Sequence, residues 1–310
     1  MNKWLALTIM VLLAGGAAAM QLPPGGQEFQ AGVAAAQKQD WDTAIKAFEA
    51  ALSMNPDLYG SHFYLGYAYE QKQNFAKTGE HFAAFVQRAG NNPEGAEQIA
   101  YATRSGGLAL ARVNDAAAIP LLEKAAAAKP NDKEVLYALA VTLMRNNQAA
   151  KADPYFLKVT QLDPSLPLPH YFAGRSAFNA ERWEDAKRLL NEYLKLGTDD
   201  NLGSDAHFML GSMAVREAEG GTDTAAQQAL AKGHLSKFLE LKPDAPEAPQ
   251  AHYILGSLAA QSEDTETARS HFQAYLKLQP SGAQAEEVKQ FLTDLAEDEA
   301  AAAEEAATNN

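Results

Sequence analysis

Cysteine is absent from this 310-residue chain, basic residues are few, and tryptophan occurs only three times. Without thiols there can be no disulfide, no thiolate metal site and no cysteine nucleophile. Lys and Arg total 26 against 39 Asp and Glu, leaving a formal charge of −13. With no clustered Lys and Arg to drive counterion release, such a chain is not built for phosphate backbones or anionic lipid heads, so no nucleic-acid partner is expected. Phosphate-binding glycine loops and dinucleotide fingerprints are also missing. Gly174-Arg175-Ser176-Ala177 lacks the last glycine of a nucleophile elbow and falls in a helical pattern, where that strained turn cannot form. What the chain does have is 47% hydrophobic residues, enough to bury a substantial core, which excludes wholesale disorder.

Lys3 precedes the apolar run Trp4-Leu5-Ala6-Leu7-Thr8-Ile9-Met10-Val11-Leu12-Leu13-Ala14, which gives way to small residues ending Ala17-Ala18-Ala19. This is the layout of a secretory signal peptide, with cleavage expected after Ala19. The run is at or just under the roughly 17 to 25 apolar residues that cross a bilayer. No cysteine follows it to carry a lipid. The expected product has no stable membrane span after cleavage and is periplasmic or secreted. Residues 20–26, with Pro23-Pro24-Gly25-Gly26, read as an extended linker.

Beyond the linker the chain repeats itself. Gly106, Ala140 and Gly174 are spaced by 34 residues, as are Ala118, Ala152 and Ala186, and Leu122, Phe156 and Leu190. Gly32 and Gly66, and Phe48 and Phe82, show the same separation of 34. Later units keep the marker order while stretching it: Gly211, Ala231, Leu235, Phe238, Pro243, then Gly256, Ala268, Phe272, Tyr275, Pro280. Seven units result, over residues 27–58, 59–94, 99–132, 133–166, 167–200, 204–246 and 249–282. Each reads as two helices broken by a polar turn such as Gln71-Lys72-Gln73-Asn74 or Glu181-Arg182-Trp183-Glu184. A glycine inside a helix costs about 1 kcal/mol relative to alanine, so its recurrence in the first helix implies close approach of another backbone, with the small residue of the second helix (Ala44, Ala118, Ala152, Ala186, Ala231, Ala268) facing it or its neighbours. Large apolar residues four places on fill the space between helices. Pro56, Pro130, Pro164, Pro243 and Pro280 close the second helices.

Leu65-Gly66 with Tyr69 and Phe82, and Leu255-Gly256 with Ala268, Phe272 and Pro280, carry a resemblance to the tetratricopeptide repeat family over residues 27–280. The resemblance implies an all-α, right-handed helical solenoid of about seven antiparallel helix pairs whose inner surface is lined by the first helices. The family's first-helix tryptophan is replaced here by Glu28, His62, Ala102, Leu136, His170, His207 and His252. A capping helix is expected over residues 283–296, where Val288, Phe291, Leu292 and Leu295 are apolar. The Ala/Glu tail 297–310 has no large apolar group and is expected to be a frayed helix or disordered. Glu217–Gln228, with Gly220-Gly221, lengthens the turn of the sixth unit and is expected to protrude.

Histidines recur in pairs: His62 with His81, His207 with His234, His252 with His271. No third ligand recurs beside them, so the pattern favours interface packing over a metal site, and no cofactor is expected. One first-helix place is aromatic in six units (Phe29, Phe63, Tyr137, Tyr171, Phe208, Tyr253), which on stacked repeats forms a stripe. Filling gaps between units and gripping a ligand are both open for it. Arg104, Arg145, Arg175 and Arg216 fall near that stripe, open either to ordinary charge pairing with Glu134 or Glu181 or to a groove for an extended peptide carrying carboxylates. The binding candidates are therefore Phe63, Tyr67, Arg104, Tyr137, Arg145, Tyr171, Arg175, Phe208, Arg216 and Tyr253. The expected function is a non-catalytic exported scaffold that binds protein or peptide partners in assembly, secretion or maturation of an envelope complex. An accessory subunit of an envelope enzyme complex and a histidine-dependent metal or ligand-binding protein are the alternatives.

Overall fold

The computed structural model describes residues 22–197, 200–221 and 224–308. The expected signal peptide lies outside the described residues. Within them the chain is all helical, with no strand. It divides after Pro164 into two compact units. The first holds four hairpins: α1 (Gly26–Gln37) with α2 (Trp41–Met54), α3 (Gly60–Gln71) with α4 (Phe75–Ala89), α5 (Ala96–Arg112) with α6 (Ala118–Ala128), and α7 (Lys133–Arg145) with α8 (Ala149–Leu162). The second holds three: α9 (Pro167–Asn179) with α10 (Trp183–Lys195), α11 (Asp200–Glu219) with α12 (Thr224–Leu241), and α13 (Ala248–Gln261) with α14 (Thr265–Leu278), followed by α15 (Ala285–Thr308).

The turn inside each hairpin follows one chemical plan. The residue after the first helix's last turn is left-handed: Gln39, Gln73, Asn114, Asn147, Glu181 and Glu263 all have φ near +60°, and Gly221 has φ +79°. The next amide then reaches back to a carbonyl five residues earlier, as in Asp40 N–H to Ala35 O at 3.0 Å and Asn74 N–H to Tyr69 O at 2.9 Å. This is the Schellman closure of a helix C-terminus. The same residue opens the second helix, since Asp40, Asn74 and Asp264 accept the amides of Thr43, Lys77 and Thr267 at 3.1–3.2 Å. One side chain thus caps what its own backbone has just ended. At the far end, Asn55, Lys129, Asp163 and Gln279, each directly before a proline, have left helical geometry with φ between −134° and −150°.

The recurring glycines receive side chains, not backbone. A Cβ built at Gly32 or Gly66 would fall 2.7 or 2.6 Å from the ring of Phe48 or Phe82, and one at Gly256 would fall 2.7 Å from the ring of Phe272. Gly174 and Gly211 likewise sit under Leu190 and Leu235 at 2.9 and 2.7 Å. The alanines of the second helix are buried, and the atoms nearest each added Cβ belong to the rings and leucines. In the third hairpin the spacing of 34 assigned Gly106 to this place, yet Gly107 meets Leu122 at 2.9 Å while Gly106 takes Phe82 of the preceding hairpin at 2.8 Å. The left-handed residue stands eight places before the seated side chain here (Asn114, Leu122) and nine in the first two hairpins (Gln39, Phe48; Gln73, Phe82), which shifts the register. Phe48, Phe82, Leu122, Leu190 and Leu235 have no solvent exposure, and burial of each such side chain contributes about 1.5–3 kcal/mol.

Three segments differ from expectation. The extra residues of the sixth unit extend the helices, so that α11 has 20 residues and α12 has 18. Ala225, Ala226, Gln227 and Gln228 are good helix formers, and adding turns to two paired helices leaves fewer backbone groups unpaired than a long loop. The linker ends sooner, because Gly25 is buried at φ +78° against the carbonyl of Ala51 and Gly26 already starts α1. The last helix buries Ala285 and Val288 as a cap and continues to Thr308 through the alanine-rich segment.

The glycine seats predict opposite outcomes for one substitution. Gly66→Ala gains up to about 1 kcal/mol in helix propensity but drives a methyl group into the fully buried ring of Phe82, an overpacking cost of about 1–3 kcal/mol, and is expected to lower stability. Gly233→Ala, in α12 with nothing within 4 Å of the added carbon, is expected to raise it by about 0.5–1 kcal/mol. Urea unfolding followed by circular dichroism measures both.

Candidate binding groove

In the second unit α9–α11, α13 and α14 enclose a cavity of about 700 Å³. Phe178 and Trp183 bound one side and meet edge to face at 5.6 Å. Arg216 reaches over the Trp183 ring at 4.8 Å. The same pairing occurs in the first unit, where Arg112 lies 4.8 Å over Phe75, also the first residue of the preceding hairpin's second helix. A guanidinium stacked by its face keeps its in-plane N–H donors for a further acceptor. Among the described residues no carboxylate forms an ion pair with Arg216. Gln250, Gln279 and Gln284 also line the cavity, offering amide donors and acceptors, with Glu219 as its acidic group. Tyr275 is buried and its hydroxyl donates to Gln284 Oε1 at 3.2 Å while accepting from the Gln284 amide. Tyr253 donates to the Glu287 carboxylate at 3.0 Å, and burial, followed by that negative charge, raises its pKa above the ordinary phenol value.

Of the candidate residues, this groove brings together Arg216 and Tyr253. The aromatic stripe otherwise turns inward. Phe63 is 5% exposed against Phe82, Phe85 and Tyr101. Tyr171 is 1% exposed against Tyr193, and its hydroxyl donates to Asp205 at 3.2 Å; burial, then the Asp205 charge, pushes its pKa up to about 12. Phe208 packs on Phe238 at 5.1 Å and Tyr137 on Phe156 at 6.4 Å. Tyr67 is partly exposed and edge-on to Trp41 at 5.8 Å. The rings sit here because the space beside each glycine seat must be filled. They form walls of the hairpins.

The other three arginines are also engaged. Arg104 donates to Asp132 at 2.7 Å and to Glu134 at 2.6 Å. Arg145 is hydrogen-bonded to Asn114. Arg175 lies 5.7 and 5.5 Å over the rings of Tyr171 and Phe172. Arg104 also borders a separate cavity of about 550 Å³ in the first unit, beside Ile99, Tyr101, Lys124 and Lys129. It opens because α5 has 17 residues and its partner α6 only 11. Trp183 and the three glutamines were not singled out from sequence. Trp183 offered a signal, an indole among charged residues in a turn, whereas single glutamines carry none.

The histidine pairs are direct contacts. Nδ1 to Nδ1 distances are 3.0 Å for His62 and His81, 2.8 Å for His207 and His234, and 2.9 Å for His252 and His271. Among the described residues no three His, Cys, Asp or Glu side chains gather to hold a metal ion. No described helix is long and apolar enough to cross a membrane.

Family models match along most of the repeat region. The tetratricopeptide repeat model matches residues 29–93 and 218–283, and a model of anaphase-promoting complex, cyclosome, subunit 3 matches residues 112–193. No curated protein matches. Among solved structures, YrrB, described as a TPR protein with an unusual peptide-binding site, is 19% identical, with 58% of this chain and 89% of that chain covered and a TM-score of 0.44. MamA 41-end from Desulfovibrio magneticus RS-1 is 22% identical, covering 59% and 97%, with a TM-score of 0.42. MamA AMB-1 is 17% identical, covering 60% and 95%, with a TM-score of 0.46.

Asp132 joins the two chemistries of this region, since it accepts from the Val135 amide as an N-cap and pairs with Arg104. The Arg104 hydrogen bond holds its carboxyl below the usual range. Its stabilising effect is therefore present above the ordinary carboxylate pKa and is lost as pH falls through the folded value. Asp132→Ala is expected to cost about 1–2 kcal/mol through the cap alone, and Asp132→Asn less, because the amide still caps. The difference between wild type and Asn should vanish in acid-side urea titrations. With helix pairs, glycine seats and family models agreeing, the chain is a tetratricopeptide repeat protein.

Proposed function

We propose that this chain is a non-catalytic, exported scaffold that holds an extended segment of a protein partner in the groove of its second unit, in assembly, secretion or maturation of an envelope complex. Tetratricopeptide repeat proteins bind protein and peptide partners, and function resides in the site the repeats build. The observation that carries the reading is the roughly 700 Å³ cavity, where Arg216, stacked on Trp183 and in no ion pair among the described residues, shares the lining with three glutamines. The amides suit the backbone of an extended chain, which presents alternating donors and acceptors. Arg216 suits a carboxylate on that chain. Trp183 and Phe178 supply the aromatic surface that dominates binding hot spots. Export rests on Lys3 and the apolar run that follows it.

A photo-crosslinking residue at Gln250 is expected to capture an exported protein in intact cells, and the same residue at Leu230, exposed on α12, is expected not to. With that partner purified, Trp183→Ala combined with Arg216→Ala should weaken its Kd about 10-fold or more. Unaltered affinity in a variant with native helical circular dichroism would overturn the groove.

A further inference from the structure

We propose that the three histidine pairs are acid-opened clasps that free the second helix from the first in hairpins two, six and seven. Each pair occupies one place in the repeat. The first imidazole (His62, His207, His252) stands four residues before the seat glycine, and the second (His81, His234, His271) stands immediately before the residue that fills the seat. The three contacts agree to within 0.2 Å in Nδ1 separation, with ring centroids 5.1–5.3 Å apart. The fifth hairpin has His170 at the first place but Leu189 at the second, and hairpins three and four have no histidine at either. The clasp is thus confined to three of seven hairpins.

A bond between two Nδ1 atoms requires one ring to carry its proton at Nδ1 and the other at Nε2. A first added proton can go to Nε2 of the donor ring with the bond retained. A second must go to the acceptor's Nδ1, and two N–H groups then face each other across about 3 Å. Burial opposes even the first step. It is the leading cause that lowers all six rings, His81 and His234 to about 4.

The surrounding charges do little to reverse this. Glu80 favours protonation of His62 and His81, while Arg88 and Lys77 oppose it, and all three lie on α4. From α3, Tyr69 stacks on His81 at 5.5 Å and donates to Glu49 of α2. Lys237 on α12 opposes protonation of His207. For His252 the partner ring adds to burial, and for His271 burial alone lowers the value. Because the folded values lie below the ordinary 6.5, the unfolded chain binds more protons between the two. The clasps therefore stabilise fully above about pH 6.5 and lose that effect as pH falls toward 4. The sixth and seventh hairpins also supply Arg216, Gln250 and Tyr253 to the groove, so acid acts on its walls.

Amide hydrogen exchange tests this on the full chain with no partner present. Between about pH 7.5 and about pH 5, corrected for intrinsic rates, a ring moved from 6.5 to about 4 raises the opening constant about 30-fold. Protection in α4 and α12 is expected to fall by about that factor, and protection in hairpins three and four to fall far less. In His81→Gln and His234→Gln, which keep an amide in place of the ring, the extra loss is expected to disappear. Equal acid sensitivity in wild type and Gln variants would overturn the proposal. So would imidazole NMR signals of either His81 or His234 titrating near 6.5 in the wild-type protein, a reading that needs no variant to fold.

Discussion

In six of the seven hairpins a glycine on the first helix leaves room for a ring or leucine of the second, which a Cβ added there would meet at 2.6–2.9 Å, and this contact sets the distance between the two helices. Any side chain at that place would hold them apart by the width of a methyl group. The cost in helix propensity is about 1 kcal/mol per glycine. The return is burial of Phe48, Phe82, Leu190, Leu235 or Phe272, with its dispersion contacts, at about 1.5–3 kcal/mol each. The balance favours the seat only when the ring has nowhere else to go, and the Schellman turn ensures that by fixing where the second helix begins.

With that distance fixed, the rest of the first helix acquires definite roles. The place three residues before the glycine points a side chain between hairpins, which is why Phe63 and Tyr171 are buried. The place four before it meets the second helix at its edge, where a pair of histidines fits. The place five after it lies over the start of the preceding hairpin's second helix, where Arg112 meets Phe75 and Arg216 meets Trp183. The groove forms in the second unit because here an arginine and a tryptophan meet beside glutamines at adjoining places.

Much of this was legible in the sequence because it is periodic. The period of 34, the polar turns and the prolines mark an all-helical fold of paired helices, since each marker has a single physical cause. A constant period puts Gly106 at the seat, but Leu122 stands one place nearer to Asn114 than Phe82 does to Gln73, and the seat falls at Gly107. The insertion at Glu217–Gln228 was read as a protrusion because Gly220-Gly221 marks a turn, but sequence does not say how many flanking residues remain helical. The stripe and the arginines posed a different difficulty. A period shows that Phe63, Tyr171 and Arg104 are equivalent in role or place, and it cannot distinguish a buried wall from an open one. The glutamines of the groove escaped notice because a cavity depends on which neighbours fail to fill it.

The turns explain why weak forces on single hairpins count. Six of the seven hold a non-glycine residue at positive φ, a conformation that costs about 1–2 kcal/mol for an L side chain. Asn114 and Asn147 tolerate it best, whereas Gln39, Gln73, Glu181 and Glu263 have no such dispensation. Those six hairpins therefore enter the array carrying strain, and stacked repeats hold their shape through neighbour contacts. A hairpin near its own threshold responds to changes that a large core would absorb. Two buried imidazoles that must remain neutral are such a change, and placing them beside the glycine seat puts the proton at the contact on which helix spacing depends. Hairpins three and four, which lack the pair, have no such contact for a proton to reach.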